Sequence, residues 1–266
     1  MTTPAAPSMT AVAEAVARLR AAAADRRPCE PVRDLIGRTD VAAAYAVQRE
    51  LVAGRVAAGA RVVGRKIGLT AEAVQRQLGV DRPDFGVLLD DMEVADGATV
   101  PAGRLLQPKV EAEVAFVLAD DLDVDDIDAA RAAQAVESAV ASLEIVDSRI
   151  RDWDISFGDT VADNASSGLF VLGAHRVARG DIAPADVEMS MSVNGEVAST
   201  GTGRACMGDP YLALAWLART ARELGDPLRA GQVVLSGALG PMVAVSSGDV
   251  VTAEISGLGA VSVTFA

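Results

Sequence analysis

A chain of 266 residues is long enough to bury a large hydrophobic core, either as one domain or as a small and a large domain together. Half of its residues are hydrophobic and 23% are charged, which is typical of soluble globular proteins. With 24 basic and 37 acidic residues the formal net charge is −13, which argues against nucleic acid or an anionic membrane as a general partner.

Cysteine content and hydropathy indicate the cellular setting. The sequence has only two cysteines, Cys29 and Cys206, and no C-x-x-C pair or zinc-ligand spacing, so we expect a cytoplasmic protein without a disulfide framework. Charged residues interrupt the apolar character of the first 25 positions, which argues against a signal peptide. We expect no transmembrane helix, because no stretch of about 18 apolar residues occurs.

The beginning of the chain is predicted to be helical. Residues 9–24 are rich in alanine and carry apolar side chains at helical spacing, which predicts an amphipathic helix. A second helix is predicted over residues 40–58, because Asp40 is a good N-cap residue and Gly59 is a good C-terminal stop.

The pattern changes after residue 60. Residues 61–69 are predicted to form a strand, and residues 71–78 a short helix. From residue 85 to 118 short apolar segments alternate with Gly, Pro and Asp turns, which is typical of β-structure. An acidic loop follows, and it leads into a helix predicted over residues 128–141.

The second half continues with strands near 169–173 and 187–193. The Asn194-Gly195 pair predicts a type I′ hairpin turn after the second of these strands. Asp209 and Pro210 are expected to open a helix that runs to about residue 224. Closing strands are predicted at 232–236, 250–256 and 260–265.

The order of these elements predicts an α+β fold. A helical N-terminal region, residues 1–80, precedes a β-rich domain, residues 81–266, and we expect the two to form one compact unit. The sequence shows no internal repeat and no low-complexity linker.

Two glutamates lie two residues apart in the apolar run 108–118. Alternate positions of this run are apolar, and Glu111 and Glu113 share the opposite parity. A β-strand would project both carboxylates from one face, roughly 7 Å apart. Like charges at that distance repel unless a positive group lies between them. A third carboxylate, Glu144, interrupts another apolar run and needs a partner there.

Three carboxylates from two apolar segments predict an oxygen-ligand site for a hard divalent cation such as Mg²⁺. The residues alone also allow a plainer interpretation, in which the E-x-E pair lies on the solvated face of an edge strand. Spacing by itself does not decide between the two.

Several ordered motifs give the chain a resemblance to a known family. They are GRKIGLT (64–70), LGVDRPDFGVL (78–88), the Glu111 and Glu113 strand, SRIRDW (148–153), DTVADNAS (159–166) and LSGALGPM (235–242). With these motifs the chain resembles the 2-keto-4-pentenoate (2-hydroxypenta-2,4-dienoate) hydratases of the fumarylacetoacetate-hydrolase-like superfamily. The resemblance extends over nearly the whole chain from about residue 30.

The resemblance implies a fold and an activity. The fold would be a mixed β-sheet and β-roll catalytic domain of the fumarylacetoacetase C-terminal type. The activity would be that of a hydro-lyase, which adds water to 2-hydroxypenta-2,4-dienoate and gives 4-hydroxy-2-oxopentanoate in the meta-cleavage degradation of aromatic compounds. The family further implies a homo-oligomer, pentameric or decameric, and a downstream aldolase as a possible partner.

The resemblance also implies site residues. Glu111, Glu113 and Glu144 would hold Mg²⁺ or Mn²⁺, and Lys66, Asp84 and Ser166 would be the catalytic residues. Ser167 follows Ser166 directly, so the position of the substrate-facing hydroxyl stays open by one residue.

Physical chemistry agrees with this set. A 2-oxo or 2-enol acid chelates a divalent ion through its carboxylate and C2 oxygen, and the ion stabilises the enolate through which the protons move. Burial could lower the pKa of Lys66, or Lys66 could stay charged and hold the substrate carboxylate. We favour Asp84 as an acid–base group that is paired electrostatically with Lys66.

The remaining candidates are weaker. His175 is the only histidine and is expected in a surface turn. Arg149 and Arg151 would share a face of an extended segment, where they could bind an anionic substrate or pair with Asp152 and Asp154. We expect the pairing. The sequence contains neither a complete G-x-G-x-x-G motif nor a Walker loop.

Three alternative functions stay open. A 2-oxo-3-hexenedioate (4-oxalocrotonate) decarboxylase would share the fold and the metal site, and would need an unpaired cation at the far end of the pocket for its second carboxylate. A C–C hydrolase of the fumarylacetoacetase type is disfavoured, because no histidine precedes His175. A non-catalytic assembly partner is disfavoured, because every expected site residue is present.

Overall fold

The protein is described by a computed structural model that covers residues 8–71, 75 and 80–266. Its helices are α1 (Met9–Asp25), α2 (Arg33–Ile36), α3 (Val41–Ala57), α4 (Ala129–Gln134), α5 (Phe157–Ala162) and α6 (Pro210–Glu223). The strands of the large sheet are β1 (Val62–Gly68), β2 (Asp84–Leu89), β3 (Glu93–Val94), β5 (Pro108–Leu118), β6 (Val136–Asp147), β7 (Ser167–Leu172), β8 (Val177–Ala178), β11 (Val233–Ala238) and β12 (Val243–Ala244). Those of the small sheet are β4 (Thr99–Val100), β9 (Glu188–Val193), β10 (Glu196–Thr202), β13 (Val250–Ile255) and β14 (Gly259–Phe265).

The large sheet is mixed and confirms the α+β fold class. Its main path has the order β2-β1-β11-β5-β6-β7-β3, with β12 paired to β5 and β8 paired to β6. The β1–β11 and β3–β7 pairs are parallel and the others are antiparallel. Strand β1 comes from the first 80 residues and pairs with β11 near the C-terminus. The proposed division of the chain at residue 80 stays a prediction.

The small sheet has the order β10-β9-β13-β14-β4 and packs through β13 and β14 against β6 of the large sheet. Asn194 and Gly195 both have positive φ, 54° and 84°, and they connect β9 to β10 in the predicted hairpin. The predicted closing strands are confirmed as β11, β13 and β14.

The N-terminal helices pack against one another and against α5. The helices predicted at 9–24 and 40–58 are confirmed as α1 and α3, and the Asp40 carboxylate caps α3 by accepting the Ala43 N–H at 3.0 Å. From α3 the buried Gln48 amide donates to the carbonyl oxygens of Phe85 and Val161, at 2.9 and 3.0 Å. Helix α3 therefore fixes β2 and α5, which both contribute to the site described below.

The helix predicted over residues 128–141 is wrong beyond Gln134. The stretch that follows is β6, which pairs with β5 along its length and with β7 on its other side. Its alanines, among them Ala139 and Ala141, are fully buried. Hydrogen bonds to two neighbouring strands and burial on both faces outweigh the local preference of alanine for a helix.

Two further sequence predictions concern helices. The helix expected from residue 210 to 224 is confirmed as α6, with Asp209 as its N-cap. The short helix expected over residues 71–78 lies mostly outside the described residues. None of the described helices combines the length and apolar character that crossing a bilayer requires.

The parallel contact between β1 and β11 allows no side chain at Gly64. A Cβ there would lie 1.9 Å from the Val233 carbonyl oxygen, which belongs to the backbone and cannot move independently. We expect Gly64→Ala to lower the free energy of unfolding by roughly 1–3 kcal/mol through overpacking. Urea unfolding at matched protein concentration measures this change.

Gly180→Ala is the matched control, because a Cβ at Gly180 meets nothing within 4 Å. That variant should stay within about 0.5 kcal/mol of the wild type. Equal stability of the two variants would show that the β1–β11 contact is not tight.

Candidate functional site

Three glutamates meet on the inner face of the large sheet. Glu111 on β5 is directly opposite Glu144 on β6, and Glu113 lies two residues further along β5 on the same face. One carboxylate oxygen from each of the three lies within 4.8 Å of the other two. Strand β5 has β11 on one side and β6 on the other, and Glu113 is fully buried. The alternative of a solvated edge strand is therefore wrong.

Lys66 reaches this cluster from β1. Its Nζ lies 2.9 Å from Glu144 Oε1, and the two side chains are only 4% and 2% exposed. Strands β1 and β6 are three positions apart, which in a flat sheet would be about 14 Å. The contact therefore requires a curled sheet in which long side chains converge on the concave face.

Several oxygens of the cluster lack donors. Glu113 Oε2 accepts the Gly237 N–H at 2.7 Å, but Glu113 Oε1 and Glu144 Oε2 accept no hydrogen bond from the described residues. Buried carboxylate oxygens without a donor are costly, and a cation or a proton relieves that cost. Together with the hard-oxygen character of the set, this arrangement fits a divalent metal ion.

The pKa values of the cluster reflect the same crowding. Burial, together with the charge of Glu144, raises the pKa of Glu111 to about 7. Burial and the charges of Glu144 and Glu111 also raise the pKa of Glu113 well above its ordinary value. Burial alone would lower the pKa of Lys66, but the carboxylates of Glu144, Asp84 and Glu111 outweigh it and raise that pKa. The structure therefore favours a Lys66 that stays charged.

Asp84 lies beside Lys66 at the start of β2. In the β1–β2 register Gly68 is opposite Asp84, and Lys66 lies on the same face. A Cβ at Gly68 would lie 2.2 Å from Asp84 Oδ1 and 3.5 Å from Lys66 Nζ, so the missing side chain provides the space that both groups occupy. Burial raises the pKa of Asp84 to about 6, against the opposing effects of Lys66 and the Thr160 hydroxyl.

Ser166 approaches from the opposite wall, in the turn between α5 and β7. Its Oγ lies 3.3 Å from the Thr160 hydroxyl, which also contacts Asp84. The Ser167 hydroxyl is instead bonded to the Asn164 carbonyl oxygen at 2.7 Å. Of the two serines, Ser166 is thus the one on the side of Asp84.

The turn that carries Ser166 is strained. Asn164, Ala165 and Ser166 have φ values of 54°, 52° and 54°, which is the left-handed region, and none of them is glycine. Such a residue costs on the order of 1 kcal/mol, so three in succession persist only where the surroundings hold them. Ser166 is predicted from the sequence, whereas Thr160, Asn164 and Gly237 are functional candidates that only the structure brings together. An asparagine, which tolerates left-handed backbone, was the available signal in DTVADNAS.

The other sequence candidates lie away from the cluster. His175 is exposed after β7. Arg149 and Arg151 form structural ion pairs, but with Asp163 and Glu30 rather than with Asp152 and Asp154. The shared face would have required an extended segment, but residues 151–153 form a 3₁₀ turn.

Comparison with known proteins gives consistent matches. Residues 57–266 match the model of the fumarylacetoacetate (FAA) hydrolase C-terminal family. The chain is 54% identical over 259 residues to 2-keto-4-pentenoate hydratase 1 of Dechloromonas aromatica, covering 97% of this chain and 98% of that protein. It is 52% identical over 252 residues to 2-keto-4-pentenoate hydratase of Paraburkholderia xenovorans, with 95% and 94% covered.

A solved structure shares the fold closely. The 4-oxalocrotonate decarboxylase from Pseudomonas putida G7, complexed with magnesium and adipate, matches with a TM-score of 0.93 at 31% identity, covering 97% of this chain and 98% of the other.

Lys66 is the group that partly neutralises the buried carboxylates. In chelator-containing buffer we expect Lys66→Met to lower the free energy of unfolding by about 3–5 kcal/mol, because it leaves Glu144 buried without its cation. The double variant Lys66→Met, Glu144→Gln should recover part of that loss, since both charges are then absent. Urea unfolding at matched protein concentration measures both, and a single variant as stable as the wild type would contradict the ion pair.

Proposed function

The chain belongs to the 2-keto-4-pentenoate hydratases, and we propose on this basis that it converts 2-hydroxypenta-2,4-dienoate and water into 4-hydroxy-2-oxopentanoate. The observation that carries the proposal is an identity above one half to named hydratases over nearly the whole chain. The group of Lys66, Asp84 and three glutamates supplies an acid–base residue, a cation and a metal-binding set, as this reaction needs.

We propose that Glu111, Glu113 and Glu144 hold a divalent ion, Mg²⁺ or Mn²⁺. Their clustered oxygens, two of them without a donor among the described residues, support this proposal, as does the magnesium complex of the structural neighbour. A bound ion would supply Lewis acidity toward the carboxylate and C2 oxygen of the substrate. The Gly237 N–H orients Glu113, leaving its other oxygen free for this task.

Lys66 is proposed to act as a fixed positive charge. The carboxylates of Glu144, Asp84 and Glu111 raise its pKa, which favours the charged form of the ammonium. It holds Glu144 in place and stabilises negative charge that develops on the substrate beside it.

Asp84 is proposed to move the protons. Its pKa of about 6 lies close enough to neutral pH for the carboxyl group to give up a proton and to take one back. Protonation of the dienol at C5 forms the α,β-unsaturated ketone, and water then adds at C4 as C3 is protonated. Ser166, held beside Thr160, donates a hydrogen bond to the substrate at this wall.

The second candidate is decarboxylation of 2-oxo-3-hexenedioate. It is supported by the structural neighbour, which is named 4-oxalocrotonate decarboxylase, but that protein is 31% identical whereas the hydratases exceed 50%. A non-catalytic role has no observation in its favour.

We further propose a cytoplasmic homo-oligomer, pentameric or decameric, that delivers its product to a downstream aldolase. The free thiols of Cys29 and Cys206 are compatible with a reducing compartment. Exposed apolar side chains, among them Val197, Leu212 and Met242, offer surface for association. Analytical ultracentrifugation of the purified protein tests the stoichiometry.

The proposed reaction is tested with chelator-treated protein and 2-hydroxypenta-2,4-dienoate. We expect loss of the diene absorbance and formation of 4-hydroxy-2-oxopentanoate only when Mg²⁺ or Mn²⁺ is added, because the ion is needed to stabilise the enolate. Release of CO₂ from 2-oxo-3-hexenedioate, without hydration of the dienoate, would assign the decarboxylase activity instead. Full activity in metal-free buffer would refute the metal proposal.

Glu113→Gln tests the metal set without changing its shape. We expect activity to fall more than about 100-fold and the Mg²⁺-induced rise in Tm to disappear, because the variant removes one anionic ligand. Glu137→Gln is the control, since Glu137 lies on β6 like Glu144 but is exposed. Glu137→Gln should keep both properties, and an unchanged Mg²⁺ response in Glu113→Gln would exclude Glu113 as a ligand.

A further inference from the structure

The left-handed turn of residues 164–166 separates two regions of the molecule. Its Ser166 side faces Thr160, which in turn lowers the pKa of Asp84. Its other side, with Asn164 and Ser167, forms part of the floor of a cleft of about 640 Å³ between the N-terminal helices and β7. The groups that hold the turn therefore lie outside the site itself.

Asn164 attaches the turn to β2. Its side-chain oxygen accepts the Val87 N–H at 2.8 Å, and its side-chain nitrogen donates to the Val87 carbonyl at 2.9 Å. These two bonds take the place of a neighbouring strand at Val87, three residues after Asp84. The backbone is close here as well, since a Cβ at Gly86 would lie 2.5 Å from the Asn164 carbonyl oxygen. The positions of Ser166 and Asp84 therefore both depend on the backbone of β2.

Arg149 holds the two ends of the turn. Its guanidinium donates to the carbonyl oxygens of Asp163 and Ser167, the residues that flank the turn, and to that of Asp147. Its Nε is paired with the Asp163 carboxylate, which is 1% exposed. A planar guanidinium can satisfy these acceptors together, whereas a lysine ammonium on a flexible stem cannot span them.

We propose that Asn164 and Arg149 are positioning residues that hold the left-handed turn and thereby keep Ser166 in place against Thr160 and Asp84. Neither side chain belongs to the cluster around Lys66, so both act through Ser166. The inference rests on the proposed function for the role of Ser166, but the geometry of the turn does not depend on it.

The first test is a double-mutant cycle on hydration of the dienoate. We expect Asn164→Ala to lower kcat/KM about 10- to 100-fold, because a displacement of about 1 Å of a reacting group has effects of this size. In a Ser166→Ala background the same change should alter kcat/KM by less than about twofold, since the group it positions is already absent. Losses that multiply in the double variant would overturn the proposal.

Asn194→Ala is the matched control for general destabilisation. Asn194 also has left-handed backbone and uses its side chain for two hydrogen bonds, with Asp249 and the Val250 N–H, in the distant β9–β10 hairpin. It should lower Tm to an extent comparable with Asn164→Ala and leave kcat/KM unchanged. An Asn164→Ala variant that loses Tm but keeps full kcat/KM would reduce Asn164 to a structural residue.

Arg149 is tested by chemical rescue. Its side chain lines the open cleft, so a guanidinium ion can reach the space left by Arg149→Ala. We expect that variant to lose activity and to regain at least several-fold with tens of millimolar guanidinium, far below denaturing concentrations. The wild type and Asn194→Ala should show no such gain, and absence of rescue in a folded Arg149→Ala protein would count against its positioning role.

Crystal structures test the positioning of Ser166 independently of the proposed reaction. A wild type that does not hydrate the dienoate would refute the proposed function. In that case an Asn164→Ala structure in which residues 164–166 keep positive φ and Ser166 Oγ stays near 3.3 Å from Thr160 would overturn the positioning role as well. Rotation of Ser166 away from Thr160 would support it.

Discussion

The electrostatics of the site are dominated by one imbalance: four carboxyl groups, three of them buried and that of Glu111 half-buried, lie around the ammonium of Lys66. Unpaired charge in a protein interior is expensive, so such a cluster takes up protons or binds a cation. Burial and mutual repulsion accordingly raise the pKa values of Glu111 and Glu113. A divalent ion bound by the proposed glutamates would relieve the same repulsion.

Lys66 and the glutamates can meet only because the large sheet is curled and carries them on its concave face. Strand β11 lies between β1 and β5, so it separates Lys66 from Glu113 in the sheet and supplies the Gly237 N–H between them. Residues from both ends of the chain thus share one face. Absence of a side chain at Gly68 leaves room for Asp84, and absence of one at Gly64 allows β1 and β11 to approach.

The wall opposite the sheet is built differently, from irregular backbone that side chains hold in place. Gln48 on α3 donates hydrogen bonds to both β2 and α5. The Asn164 side chain bonds the turn after α5 to β2. Arg149 satisfies the carbonyls at the ends of that turn. Backbone of this kind offers few regular hydrogen bonds, so its conformation depends on such contacts, and the strained residues occur beside the proposed acid–base group.

Features that depend on near neighbours along the chain could be predicted from the amino-acid sequence. Alternation placed Glu111 and Glu113 on one strand face, Asp40 marked the start of α3, and Asn194-Gly195 marked the hairpin. Tertiary structure decided the rest. The alanine-rich segment after Gln134 became a central strand because β5 and β7 flank it, and carboxylates from other strands raise the pKa of Lys66. Arg149 pairs with Asp163, in the segment between α5 and β7, rather than with its near neighbour Asp152. Each of these outcomes is set by contacts between segments distant in sequence, whose energies exceed local preferences.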